Sequence, residues 1–437
     1  MSLDLQAVNA FLNAVSNQDI VRAEEIVQAD PELVTTSLHI AAVLGRNDAV
    51  ERILAGDPEQ IRLRAGSEGG EPLLWLGYSP FHGQSPERDE GLAACARALL
   101  DAGADPNTRD RHLGVSALYA VTGMHNVPRI ARMLLDAGAN PNDGESLFHA
   151  AEHFHEEALD LLLGYGADVN GTGDGGNTPL YFLLRFHNVA REPRVKQGVL
   201  WLLDYGADPD VRSGDQRETA LHVAVRRGQA PEILELLIEH AADVNARRHD
   251  GRSPWILAAR AGDEAVMELL VENGAVPETL SPADALAAAC NRGDLQAARA
   301  LAVPEVLATL DPLDVGLLPE AAGERRTHVV TACLAAGFPV NVTDEWGATA
   351  LHHAAIQGRA DLACTLLRLG ADFTIRDHQH KSTPFGWAVF GADHVRETDG
   401  DYAGVVQALL EAGARPAEDE HAVSDPQVRE ILQRHAM

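Results

Sequence analysis

The string His149-Ala150-Ala151-Glu152-His153 places two imidazoles four residues apart with a carboxylate between them. On a helix that spacing turns both rings to one face, an arrangement that can hold a zinc ion while the carboxylate moves a proton. His149 and His153 are thus candidate metal ligands, and His149, Glu152 and His153 candidate catalytic groups. Tyr119, Arg185 and His187 lie in flanking segments of similar pattern and can complete a metal shell or a substrate pocket. A five-residue string also arises by chance in a chain with 19 histidines. No phosphate-binding GxxxxGK[ST], GxSxG elbow or GxGxxG accompanies it, and GTGDGGN at 171–177 reads as a turn.

A second set of residues points to recognition. Arg185, Arg226, Arg227, Arg260 and Arg292 recur at corresponding places in consecutive segments. Residues 185–260 hold 12 Lys and Arg against 11 Asp and Glu, whereas the whole chain carries a formal charge of −30. Arginine offers a rigid fork of donors to carboxylate or phosphate, so this island suits an anionic partner, extended by Arg247, Arg248 and Arg252. The overall acidity excludes non-specific attraction to nucleic acid or anionic lipid. Aromatic side chains, Tyr78 and Phe186 foremost, lie near the arginines and are natural contact points.

The elements that must position these groups are legible as an internal repeat. LLDAGADPN at 99–107 returns as LLDAGANPN at 134–142, LLGYGADVN at 162–170, LLDYGADPD at 202–210 and LIEHAADVN at 237–245. Weaker copies are LVENGAVPE at 270–278, LAAGFPVN at 334–341, LRLGADFT at 367–374 and LEAGARP at 410–416. About twenty residues before such copies stand TSLHIAA at 36–42, SALYAV at 116–121, ESLFHAA at 145–151, TPLYFLL at 178–184, TALHVAV at 219–225 and TALHHAA at 349–355. Thr caps a first helix, and Pro at its first turn loses no hydrogen bond. A glycine turn leads to a second, amphipathic helix, and the Gly-Ala pair ends it with a left-handed residue. Neither helix can bury its apolar side within its own unit, so the core must come from stacking.

These paired signatures resemble the ankyrin repeat over nearly the whole chain. The resemblance implies an all-α solenoid of helix-turn-helix units joined by β-turn fingers, about twelve in all. Residues 1–34 are expected as an N-terminal capping repeat and 35–416 as an array of about eleven units, degenerate near 283–345. Residues 417–437 are expected as a C-terminal capping helix. Insertions at 82–91, 187–196 and 391–401 fall between the two helices of their units. The resemblance also implies that first helices line a concave face. Carrying the register over gives contact positions Tyr78 and Ser79, Thr122 and Gly123, Glu152 and His153, Arg185 and Phe186, Arg226 and Arg227, Arg260 and Ala261, Asn291 and Arg292, Ile356 and Gln357, and Phe390. It makes Tyr78, Tyr119, His153, Arg185, Phe186, Arg226, Arg227, Arg260 and Arg292 the expected binding set. His39, His222 and His352 are expected to bridge neighbouring units.

The function expected first is a non-catalytic scaffold that grips an anionic partner, an acidic or phosphorylated protein or peptide, on the central concave face. One alternative is an enzyme acting on a small anionic substrate around His149, Glu152 and His153, with His149 and Glu152 spelling the H-x-x-E-H of inverzincin peptidases. The other is an adaptor whose acidic surface meets a basic protein. No cofactor, nucleic acid or membrane partner is expected. Cys95, Cys290, Cys333 and Cys364 never form CxxC and are expected as buried thiols. No basic leader or run of 18 apolar residues occurs, which fits a cytoplasmic protein. Only Lys196 and Lys381 are lysines, an arginine bias that suits a bacterial, GC-rich genome.

Overall fold

The computed structural model describes residues 4–112, 114–173, 175–416 and 423–435. Among these the chain is helical, with isolated β-bridges and no strand. It divides into two units, 1–254 and 255–437.

The first unit is a succession of helix pairs, from Leu5–Ser16 with Ile20–Ala29 to Ala220–Arg226 with Pro231–Glu239. Short first helices such as Ser146–Glu152, Pro179–Phe186 and Ala220–Arg226 alternate with longer second helices such as Glu156–Gly164 and Pro193–Asp204. Thr178 and Thr219 accept from the amides of Tyr181 and His222, closing the first turn. The small residues set the spacing: a Cβ on Gly198 would stand 1.9 Å from the Ala151 oxygen, so the second helix of one repeat rests on the backbone of the first helix of the preceding repeat. The insertions lie between helices of a pair. The first lengthens its second helix to Pro86–Asp101.

The second unit continues the pattern, with Glu264–Glu272, Leu295–Leu301, Thr327–Ala335, Ala360–Arg368 and Tyr402–Glu411 as second helices. Across 283–345 the first helices are Pro282–Asn291 and Pro312–Gly323, with an extra turn, Pro304–Leu307, between their repeats. The division between these two repeats therefore falls near 311. Ser281-Pro282-Ala283-Asp284 and Asp311-Pro312-Leu313-Asp314 stand where other repeats have Thr-Pro-Leu-His; a serine and an aspartate cap these helices. Of the segment 417–437, the helix Pro426–His435 buries Val428 and Leu432, while 417–422 and 436–437 lie outside the described residues. Cys95, Cys290 and Cys333 are buried, but Cys364 is exposed. It lies on the face of Ala360–Arg368 opposite Leu362, Ala363 and Leu366.

Polar links join the repeats at two levels. His39, His222 and His352 donate through Nε2 to the carbonyls of Gly70, Arg252 and Ser382 in the following repeats, as expected. Burial holds all three imidazoles down at about 4, so they remain neutral donors. The second level is a ladder of finger asparagines. Asn107 donates to Gly138 O and accepts from Asn140 N. Asn142 does the same with Gly166 and Asp168, and Asn170 with Gly206 and Asp208. Asn341 repeats it with Gly370 and Asp372 in the second unit.

One rung of the first unit is incomplete. Asp210 accepts from Asp243 N at 3.0 and 3.1 Å but has no amide to donate. Burial, foremost, raises its pKa. An amide here reaches Ala241 O as Asn170 reaches Gly206 O, so Asp210→Asn is expected to stabilise the protein by about 1 kcal/mol. A higher urea midpoint with unchanged slope is the expected result; an unchanged or lower midpoint contradicts the ladder.

Candidate functional site

In the first unit the helices Ser146–Glu152 and Pro179–Phe186, with Ala117–Tyr119 before them, bring most of the expected site together. Glu152 sits at its centre. His149 Nδ1 donates to Glu152 Oε2 at 2.5 Å and Nε2 to Glu145 Oε2 at 3.2 Å. His187 Nε2 reaches Glu152 Oε1 at 3.1 Å, and its Nδ1 reaches Glu192 Oε2 at 3.0 Å. His153 turns aside and donates from Nδ1 to His149 O. Tyr119 and Phe182 stand edge-on against the His149 ring, with centroids 5.1 and 5.5 Å away.

Four donations from two rings require both imidazoles to carry two protons. Burial opposes charge on His149, but its hydrogen bonds to Glu145 and Glu152 and their negative charge lift its pKa to about 9. The Glu152 bond, foremost, raises that of His187 against burial, with Glu192 assisting. Burial likewise opposes ionisation of Glu152, and the two imidazolium partners overcome it, holding the carboxyl well below its usual range. In this protonation state His149 donates hydrogen bonds and does not act as a base. A carboxylate held so low is a weak base. The string His149–His153 therefore folds as an ion network, and no group of three or more His, Cys, Asp or Glu among the described residues is placed to hold a metal ion.

The arginines divide. Arg226 is clamped by Glu218, Nε to Oε1 at 3.0 Å and Nη2 to Oε2 at 2.9 Å. Arg248 reaches the same carboxylate at 2.8 Å, as does the Tyr181 hydroxyl. Asp250 then pairs with Arg248 and Arg252. Burial disfavours the Glu218 charge, yet Arg226 and Arg248 hold its pKa down at about 2. Arg248 and Arg252, expected to extend an electropositive surface, are instead buried structural cations. In the second unit Arg260 joins Asp284 at 2.6 Å and Asp314 at 2.8 Å, tying three successive first helices. Arg227 and Arg292 are exposed. Arg185 lies half-buried with its guanidinium carbon 5.2 Å from the centre of the Phe186 ring, and Phe186 is exposed.

Of the remaining contact positions, Ser79, Thr122, Gly123 and Gln357 are buried. Ser79 and Thr122 donate to the carbonyls of Val43 and Leu118. Gly123 faces His149, because the helix there widens into a π-turn, Ala120–Met124. Tyr78 is half-buried, and Phe390 and Ala261 are exposed. Sequence reasoning missed Glu218, Asp284 and Asp314; an acid at the place of a Thr-Pro-Leu-His histidine was the available signal for the last two.

The helix pairs, the Thr caps and the bridging histidines define an ankyrin-repeat chain with an all-α solenoid fold. Models of ankyrin repeats match residues 186–281 (three copies) and 147–191 and 318–367 (many copies). Ankyrin repeat and SOCS box protein 5 of Mus musculus is 34% identical over 134 residues, 30% of this chain and 36% of that protein. The neurogenic locus Notch protein of Drosophila melanogaster is 40% identical over 116 residues, 26% of this chain and 4% of that protein. The ankyrin repeat and KH domain-containing protein mask-1 of Caenorhabditis elegans is 30% identical over 227 residues, half of this chain and 8% of that protein. The chain thus spans little more than a third of the first of these relatives and far less of the others. The crystal structure of the human ASB11 ankyrin repeat domain superposes with a TM-score of 0.41 at 25% identity, covering 55% of this chain and 99% of that one. No described helix is long and apolar enough to cross a membrane.

Two predictions follow from the ion networks. The His149 pKa is raised from 6.5 to about 9, so its stabilisation is complete below about pH 6.5 and is lost as pH climbs through about 9. Thermal unfolding is expected to show the parent losing on the order of 1–3 kcal/mol more than His149→Gln between those limits; parallel losses contradict the charged imidazole. Glu218→Gln leaves Arg248 and Arg226 without their shared carboxylate, and Arg248 is almost fully buried. Urea unfolding is expected to show a loss of roughly 3–5 kcal/mol, and a change within error of zero removes the network from the account.

Proposed function

We propose that the chain is a protein-interaction scaffold and that its first unit binds a partner segment on the first-helix, concave side between Tyr119 and Arg227. The single observation that carries this reading is the continuous half-exposed surface of Tyr119, His149, Phe182 and Phe186. The Phe182 and Phe186 rings lie 5.2 Å apart, with Arg185 over Phe186. Aromatic rings flanked by arginine concentrate binding energy because they bury area with few rotors and keep a polar edge for the partner.

The anionic character of the partner rests on exposed Arg227, with the half-buried Arg185 beside Phe186 as a second cation on the same face; Arg226 is clamped by Glu218. The imidazolium rings of His149 and His187 offset two of the three carboxylate charges of Glu145, Glu152 and Glu192 around the same surface, so the face repels a carboxylate less than the chain's net charge alone would. The partner segment is accordingly acidic or phosphorylated. Its anion meets Arg185 and Arg227 while an apolar side chain rests on Phe186.

An array of acidic, phosphorylated, neutral and basic peptides tests this reading. Acidic or phosphorylated peptides are expected to be retained by the parent and lost roughly ten-fold or more by Phe186→Ala and by Arg227→Glu, with binding weakened by salt. Both side chains are exposed, so unfolding midpoints stay unchanged. No preference for anionic peptides, or equal retention by both variants, overturns the reading.

A further inference from the structure

Within the second unit a cleft of about 550 Å³ opens between two successive repeats. Its walls are the Trp346 indole from one finger and Trp387 and Phe390 from the helix Pro384–Phe390 of the next repeat, with Ile356 behind. Gly386 lines the cleft without adding a side chain. Trp346 is 47% and Phe390 52% exposed, although neighbouring aromatic residues of the array, such as Phe385, are covered. The Asp377 carboxylate forms the floor: it accepts from the amides of His380 and Ser382 and from Trp387 Nε1 at 3.1 Å. These bonds fix the indole plane. Burial opposes the Asp377 charge, and the amide and indole donors hold its pKa below the usual value.

Charge selects the occupant. No Lys or Arg lines the cleft, and His380 is its one basic group. The guanidinium of nearby Arg376 is turned to the Lys381 carbonyl. Residues 344–401 hold nine Asp and Glu against five Lys and Arg, within a chain of net charge −30. Aromatic faces attract a cation through their quadrupoles, and a flat guanidinium stacks between such faces while losing little hydration. A neutral apolar chain gains nothing from the carboxylate or the surrounding field, and an anion is repelled by both.

We infer that this cleft is a docking site for an arginine side chain on a basic segment of a partner protein, gripped by Trp346, Trp387 and Phe390 over Asp377. It is separate from the surface assigned to anionic segments, lies in the other unit and takes the opposite charge, so each can fail alone.

Fluorescence anisotropy with a labelled arginine-rich Gly/Ser peptide, and with its glutamate counterpart of equal length, tests the inference on the full chain. The arginine peptide is expected to bind and the glutamate peptide not to. The double substitution Trp346→Ala, Phe390→Ala leaves every acidic and basic side chain in place and removes two half-exposed rings, together with the Phe390 stacking on His394, so its unfolding midpoint, measured alongside, is expected to shift little. It is expected to weaken the arginine peptide roughly ten-fold or more. Diffuse attraction to an acidic protein survives that substitution, so undiminished binding by the double variant overturns the cleft. Failure of the arginine peptide to bind the parent, or equal binding of both peptides, overturns it as well.

Discussion

A pair of short helices has one apolar side that it cannot cover by itself, and every other feature of this chain answers that constraint. Ala150 and Ala151, Ala224, and Ala354 and Ala355 are fully buried on first helices, where a larger residue would hold the next repeat away. Gly198 brings a second helix onto the backbone of the preceding repeat. The consequence is that burial is local: each repeat is completed by the one before and the one after it. Stability within a unit is then a sum of neighbour terms rather than the property of one central core.

Packing of small apolar residues is non-directional, and alone it would leave the rotation of one repeat against the next loosely set. The polar links supply direction. Neutral histidines tie the first helices to the carbonyls ahead, and asparagines tie the fingers together with one donated and one accepted bond each. Where the histidine is replaced by the buried Asp284 and Asp314, Arg260 takes over the bridging role as a partly buried cation. A hydrogen-bond network fully satisfied in a low-dielectric setting rigidifies its surroundings. This rigidity lets rings such as Phe186 and Trp346 remain exposed without the helices beneath them collapsing to cover them.

The repeat was legible in the sequence because periodic strings at fixed spacing report neighbour packing directly. Thr219 and His222, for example, announced both a cap and a bridge. The site was legible only in part. His149, Glu152 and Tyr119 do meet, since helical spacing and repeat register place them, and Glu145 joins them one helical turn before His149; but their protonation depends also on Glu192 and His187, whose approach follows from an insertion loop rather than from the repeat. The arginine pattern was misleading for a related reason. Arg226 and Arg260 look like a surface row, with Arg248 extending it, until the positions of Glu218, Asp284 and Asp314 are known; Glu218 holds Arg226 within one repeat, while its pairing with Arg248 and those of Arg260 cross from one repeat to the next. The aromatic cleft left no sequence signal beyond Trp346, Trp387 and Phe390 being far larger than the residues usual at such places.

Native-state hydrogen exchange on the full chain carrying Asn142→Ala tests the nearest-neighbour account most directly. Asn142 links its finger to Gly166 and Asp168, so protection should fall most in the helices Pro128–Asp136, Ser146–Glu152 and Glu156–Gly164, less in Pro193–Asp204, and least in Leu38–Val43. A loss of equal size at every amide from Leu5 to Glu239 would instead reveal a single cooperative core and contradict the account.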